Sequence, residues 1–541
     1  VKVTNTGSRA GKDVVQLYYI PPYENGGIEK ASVNLIDFEK TSLLEPGKSE
    51  TVTLTVALED MASYDSSCIK TANGGYILEA GEYTMSIRSD SHHVLDSKSF
   101  ILASDIDYSA DGRPSDDTAA VNLFGNIASD HAVLSRTDHF ANYADATAAP
   151  ADSEYELSKS DQKYIKSITA KYKPADYDNP DDVMPTTGAD NGLTLTDMTG
   201  LGYDDEKWEL LLDEMSLKDM ETLVNNGGWK TAEIKSISKV ATSDCDGPSG
   251  LSNYVTGSNG TQYPTEVLMA QTWSKEMATK IGSAMGQEFA AANNYGWYGP
   301  AMNMHRSAFS GRNFEYYSED AVLSGLFASC EVNGAAQWGV YPYIKHFAAN
   351  DQETNRTAFL TTWMTEQTLR ENCLKPFEIV VKHFDFENHA MGIMTAYNWL
   401  GYTPVISDSR LLNNVLRDEW GFRGVVISDY NGSYGYQNTD AAIRNGNDLM
   451  LGYGMAESNK LDTSSATLVN ALRQACKNIL YTVANSGYYK DATAMEISSV
   501  DNMGNLFKML NTGTVIGAIV LEALVLIPWI LKKRKASSAQ K

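Results

Sequence analysis

Gly421-Phe422-Arg423-Gly424-Val425-Val426-Ile427-Ser428-Asp429 holds a short apolar run, Val425-Val426-Ile427, that stops at a serine and a carboxylate. An apolar run of that length with polar residues after it reads as a buried strand. Two other stretches have the same form: Tyr343-Ile344 runs into Lys345-His346, and Gly392-Ile393-Met394 leads to Tyr397. From about residue 192 to 455 these runs alternate with helical patterns such as 220–224 and 275–292. That alternation predicts a β/α architecture with parallel strands.

In a parallel barrel the residues that follow each strand share one rim, and that rim is where such folds place their chemistry. Lys345, His346, Tyr397 and Asp429 would then meet there, joined by Arg312 from a separate segment. The pocket so formed is rich in hydrogen-bond donors. Thirty Tyr and nine Trp suit sugar stacking, but they suit core packing equally well. Taken singly, Ser-Asp-Tyr after an apolar run is usually a strand end, and a Lys-His pair is usually surface decoration.

Composition narrows the function classes. With 541 residues, 43% hydrophobic and 21% charged, the chain has material for several domains and is not wholly disordered. A formal charge of -25 without a concentrated basic patch in the body argues against nucleic acid as a partner. Cys68, Cys245, Cys330, Cys373 and Cys476 are scattered, with no C-x-x-C pair, so neither a disulfide framework nor a zinc site is signalled. No P-loop, H-E-x-x-H or dinucleotide fingerprint is present, and no metal or cofactor is implied.

Residues 1–105 carry period-2 stretches, at 14–19 and 50–56, separated by Pro21-Pro22, Glu45-Pro46-Gly47 and Ala80-Gly81. They predict a β-sandwich. Val1 to Gly7 alternate like a strand already under way, as if cut from a longer chain. Residues 106–191 shift to Asp, Ser, Ala and Pro and read as a connector with a short helix near 162–168. A helical extension is expected over 456–510, including 468–483. Residues 511–531 are apolar enough to predict a transmembrane helix, despite Glu522, and 532–541 form a basic tail starting Lys532-Lys533-Arg534-Lys535. The positive-inside rule then places the preceding residues outside the cytoplasm, as a single-pass cell-membrane protein.

Several blocks together resemble the family 3 glycoside hydrolases: Asp246-Gly247-Pro248, the run from Gly311-Arg312-Asn313-Phe314-Glu315 to Asp320, Lys345-His346-Phe347, and the stretch ending at Asp429. Asn5-Thr6-Gly7, the run from Ala10 to Tyr18, Phe38-Glu39-Lys40 and Leu44-Glu45-Pro46-Gly47 resemble that family's fibronectin type III-like domain. The resemblance implies a multidomain chain, with a fibronectin type III-like β-sandwich (1–105) and a catalytic (β/α)8-type TIM-like barrel (192–455), ahead of the transmembrane helix read from composition above. It implies a carbohydrate substrate and a retaining exo-acting β-glycosidase, most similar to β-glucosidases. Asp429 matches the nucleophile. Asp246, Arg312, Lys345 and His346 match residues that bind sugar hydroxyls, and Met394 and Tyr397 match neighbours of the nucleophile. Tyr430 stands where the family commonly has Trp, while Glu315, Asp320, His305 and Arg306 match structural positions.

The order departs from the family pattern, in which the barrel comes first, followed by an α/β sandwich and then the fibronectin-like domain. Here the fibronectin-like part leads, as in a circular permutation, and the α/β sandwich that carries the acid/base glutamate would lie upstream of Val1. Ser252 replaces an arginine found in many relatives. The continuation Ala348-Ala349-Asn350-Asp351-Gln352-Glu353 disfavours the N-acetylglucosaminidase branch and resembles β-glucosidases and β-xylosidases. Two alternatives stay open: a non-catalytic cell-surface carbohydrate-binding protein, and a β-xylosidase of the same family.

Overall fold

The computed structural model describes residues 1–128, 131–149, 151, 155–253, 255–431, 436–454 and 459–490. The expected transmembrane helix and basic tail lie outside the described residues, as does the part of the extension beyond 490. Among the described residues no helix is long and apolar enough to cross a membrane.

The alternation read at the N-terminus forms strands. Asn34–Lys40, Val14–Ile20, Gly81–Arg88 and Val94–Leu102 make one antiparallel sheet in that order. Ser63–Tyr64, Tyr76–Leu78 and Ile106–Asp107 make a second, and Lys2–Thr4 pairs with Ser49–Thr51. Ile36, Met61, Leu78 and Tyr83 fill the space between the layers. A register shift between Leu17 and Tyr18 leaves Ile36 without an opposite partner. Such a bulge breaks the period of two. Ile36 therefore faces the sandwich core, while Leu35 and Phe38 face the rest of the chain.

The β/α region is built as its alternation implied. Asp244–Cys245, Gly296–Trp297, Tyr341–Phe347, Gly392–Thr395 and Val425–Ile427 pair in chain order, all parallel. Helices Lys275–Ala291, Ala321–Ala336, Lys375–Lys382 and the helical turn run Arg410–Glu419 lie between them in sequence. Leu449 bridges Ile427 in parallel, and Met450 exchanges backbone bonds with Val224 and Gly227 (3.0 Å or less). Trp229 and Thr231 then accept from the amides of Asp244 and Thr242. The sheet thus closes on itself.

This ring corrects the eightfold expectation: among the described residues it has seven segments, not eight. The first is not a β/α unit. Residues 229–234 run antiparallel to 239–244 as a hairpin, with Ile234 bridging Lys239, so two ring segments share one short turn. Lys239 ties the hairpin together, donating from Nζ to Thr231 Oγ1, Ala232 O and Val240 O.

Sandwich and ring are joined by buried side chains. Phe38 stacks on Phe327 at 5.7 Å and meets the Trp273 ring edge-on at 5.1 Å, with Lys275 Nζ bound to Asp37 at 2.6 Å. Arg370, fully buried, binds Glu419 through two nitrogens (2.6 and 3.0 Å) and Glu366 through Nε (3.0 Å), and lies over the Tyr64 ring. Glu366 in turn accepts from the amides of Leu123 and Phe124 in the stretch read as a connector. Arg370→Met should cost about 3–5 kcal/mol, because two buried carboxylates lose their cation. Denaturant unfolding of the full chain checks this, and a loss below 1 kcal/mol (the ~0–1 range of exposed pairs) would count against the network.

Candidate active site

The strand register sets the site. Lys345, Met394 and Ile427 stand side by side across three parallel strands. His346, Tyr397 and Asp429 follow them in sequence, so they rise on the same side of the ring. Asp246 comes directly after its strand, in a loop where Gly247 and Gly250 have φ of +115° and +143°. A Cβ at Gly247 would fall 1.8 Å from Gly250 O, so only glycine permits the fold of this loop.

The side chains predicted from the sequence form a linked set. Lys345 Nζ binds Asp246 Oδ1 at 2.9 Å, the lysine buried and the carboxylate half exposed. His346 Nε2 lies 3.9 Å from Asp429 Oδ2. Tyr430 donates its amide to Asp429 Oδ1 at 2.7 Å and accepts at its carbonyl from the Tyr397 hydroxyl at 2.6 Å. Arg312 pairs with Glu315 and reaches Glu353 Oε1 at 3.4 Å. Met394 is buried in the sheet. Glu315 thus holds an arginine, and Asp320 caps the helix Ala321–Ala336 through the Leu323 amide. His305 and Arg306 tie loops together, through Tyr316 O at 2.8 Å and Asp351 at 3.2 Å.

Sequence reading missed Arg356 and Glu353. Arg356 Nη1 lies 3.5 Å from Asp429 Oδ2, its Nε binds Glu353 Oε2 at 3.0 Å, and its guanidinium lies over the Tyr397 ring at 4.8 Å. Glu353 also accepts from Asn350 Nδ2 at 2.9 Å. Both residues sit in an irregular loop after the strand, where periodicity gives no signal; the Glu-x-x-Arg spacing was the only trace. Trp229, from the hairpin, lies 5.7 Å from Tyr430 and 6.2 Å from Tyr453 between ring centres. This aromatic group borders Asp429.

The electrostatics divide the acids. Burial raises the Asp429 carboxyl above its ordinary range, against the pull of Arg356, the Tyr430 amide, Arg312 and Lys345. For Asp246 burial also acts upward, but Lys345 and the Gly247 amide prevail and hold it below the usual range. Burial, then Arg312, Lys345 and Arg356, push His346 well below its usual value, so the ring is neutral. The result is a largely buried carboxyl facing three cations, with a neutral imidazole beside it.

Comparison with known proteins identifies two domains. Residues 230–477 match the glycosyl hydrolase family 3 N terminal domain, and residues 13–91 match the fibronectin type III-like domain. The chain therefore carries these two domains, the fibronectin type III-like one first. It is similar to Beta-glucosidase A of Butyrivibrio fibrisolvens, 31% identical over 84% of this chain and 53% of that protein. It is also similar to a Beta-glucosidase of Ruminococcus albus, 32% identical over 79% of this chain and 43% of that protein. A solved beta-glucosidase from Paenibacillus barengoltzii superposes with a TM-score of 0.68 at 25% identity, covering 90% of this chain and 53% of that one. The chain spans about half the length of the curated relatives it matches.

If Arg356 opposes burial at Asp429, then Arg356→Met leaves burial with less opposition and the carboxyl titrates about 1 unit or more higher. Carbon NMR titration of labelled aspartate, with the resonance assigned through Asp429→Asn, measures it. An unchanged or lowered value would show that Arg356 does not set the charge of Asp429.

Proposed function

We propose that this chain forms the nucleophile-bearing part of a retaining, exo-acting β-glycosidase that removes terminal β-linked glucose. The observation that carries the reading is Asp429: a largely buried carboxylate at a strand end, bordered by Arg356, His346 and the Lys345–Asp246 pair. Lys345, Arg312 and Asp246 offer charged donors and acceptors for sugar hydroxyls, and charge-assisted hydrogen bonds are the strong ones. Trp229, Tyr430 and Tyr453 give the aglycone a surface to stack on.

In the first step a carboxylate oxygen of Asp429 bonds to the anomeric carbon as the bond from that carbon to the leaving oxygen breaks. The electron pair departs with that oxygen, which then takes a proton. In the second step water attacks the same carbon and gives up a proton to the group that supplied one in the first step, while the bond to Asp429 breaks and the carboxylate is restored, so configuration is retained. Retaining enzymes hold the second carboxyl about 5–5.5 Å from the first. Glu353 is near, but both its oxygens accept from cations or an amide, which suits a carboxylate that stays an acceptor. We assign the proton donor to a segment outside these residues, in a permuted arrangement with the donor domain ahead of residue 1. The commitment of Glu353 also favours a second reading, a surface protein that binds sugar without turnover.

The full chain, incubated with a dinitrophenyl 2-deoxy-2-fluoro-β-glucoside, separates the two readings, because this leaving group departs without an acid. The expected outcome is one covalent adduct per chain, mapped to Asp429 and absent from Asp429→Ala. A folded chain that binds glucose but forms no adduct would favour binding alone.

We further propose that residues 511–531 anchor the chain in a membrane, with the basic tail cytoplasmic. The full chain should float with lipid vesicles in a density gradient, and a chain ending at 510 should not. Equal behaviour of the two would reject the anchor.

A further inference from the structure

Asn303 follows the ring segment that reaches Ala301, and it is buried. Its side chain pairs with the main chain of His346 in both directions: Oδ1 accepts from the His346 amide at 2.8 Å, and Nδ2 donates to the His346 carbonyl at 2.8 Å. An amide's two ends are told apart by their partners, and here one partner is an obligate donor and the other an obligate acceptor. The atom that faces the imidazole is therefore oxygen. It lies 3.3 Å from His346 Nδ1.

We infer that Asn303 is a positioning residue that holds His346 in the Nδ1–H tautomer, with the Nε2 lone pair directed toward Asp429. An unprotonated Nδ1 would set lone pair against lone pair at Oδ1. The charged groups around the ring are Arg312, Lys345, Arg356 and Asp429, and the three cations disfavour a second proton. Tyr316 meets the ring edge-on at 6.4 Å.

This tautomer has a chemical consequence, which rests on the glycosidase reading. With no hydrogen on Nε2, two acceptors face each other 3.9 Å apart. His346 then withdraws no electron density from Asp429, and a sugar hydroxyl at that place donates to Nε2. The other tautomer would turn an N–H toward Asp429, favour its anion electrostatically and weaken it as a nucleophile.

The test is nitrogen NMR of the full chain with ¹⁵N-labelled histidine, the His346 signals assigned through His346→Gln. Wild type should show a protonated-type shift at Nδ1 and an unprotonated one at Nε2; the reverse overturns the inference. Asn303→Leu removes the acceptor and should move the hydrogen to Nε2. It should also lower the acid limb of adduct formation by about half a unit and slow that step about tenfold or more. Asn303→Asp keeps an acceptor and should keep Nδ1 protonated. If Asn303→Leu does not fold, wild type and Asn303→Asp still decide. If it folds and Nδ1 keeps its hydrogen, Asn303 is not the determinant. The spectra do not depend on turnover: the expected tautomer without any adduct would count against the glycosidase reading alone, and adduct formation with the reverse tautomer would count against this inference alone.

Discussion

The parallel register of three strands is the constraint on which the site depends. Tyr343, Gly392 and Val425 are level, then Ile344, Ile393 and Val426, then Lys345, Met394 and Ile427. A slip of one residue in any of them would turn its side chains to the opposite face. Lys345 would leave Asp246, and Asp429 would leave His346 and Arg356. Backbone hydrogen bonds that have no chemical role thus set the distances on which the chemistry rests.

Those bonds hold register only if the ring cannot shear, and the ring is braced from outside. Phe38 presses from the sandwich onto Phe327, and Arg370 ties Glu366 and Glu419 together under Tyr64. Glu366 also fixes the chain at Leu123 and Phe124, so the stretch after the sandwich is packed against the ring rather than strung beside it. Sites built on rigid elements hold geometry better than sites on loops. The fibronectin type III-like domain contributes to the site in this way without placing a side chain in it.

Legibility followed physical signal. Val425-Val426-Ile427 and Gly392-Ile393-Met394 were readable because a buried parallel strand must be apolar throughout, and the residues after them were readable as strand ends. The segment 224–231 was not, because Asn225, Asn226, Gly227 and Gly228 carry no apolar run, and a hairpin in the ring has no β/α alternation to announce it. The seven-segment ring was missed for that reason. Asp429, Asp246, Arg312, Lys345 and His346 were singled out through long motifs, and the fold brings them to one end of the ring. Arg356, Glu353 and Asn303 act from loops, where periodicity gives no signal and the contacts form only once the chain is folded.

The charge arrangement around Asp429 balances opposing demands. Burial alone favours the protonated carboxyl, whereas a tight bidentate arginine would favour the anion strongly. Arg356 meets it at 3.5 Å while its Nε is engaged by Glu353, so the cation is shared between two carboxylates. Glu353 is shared in turn with Arg312, which is itself paired to Glu315. The Asp429 carboxyl thus stands at the end of a chain of cations that are each partly neutralised elsewhere, and in the proposed reaction this leaves its oxygen available for a bond to carbon.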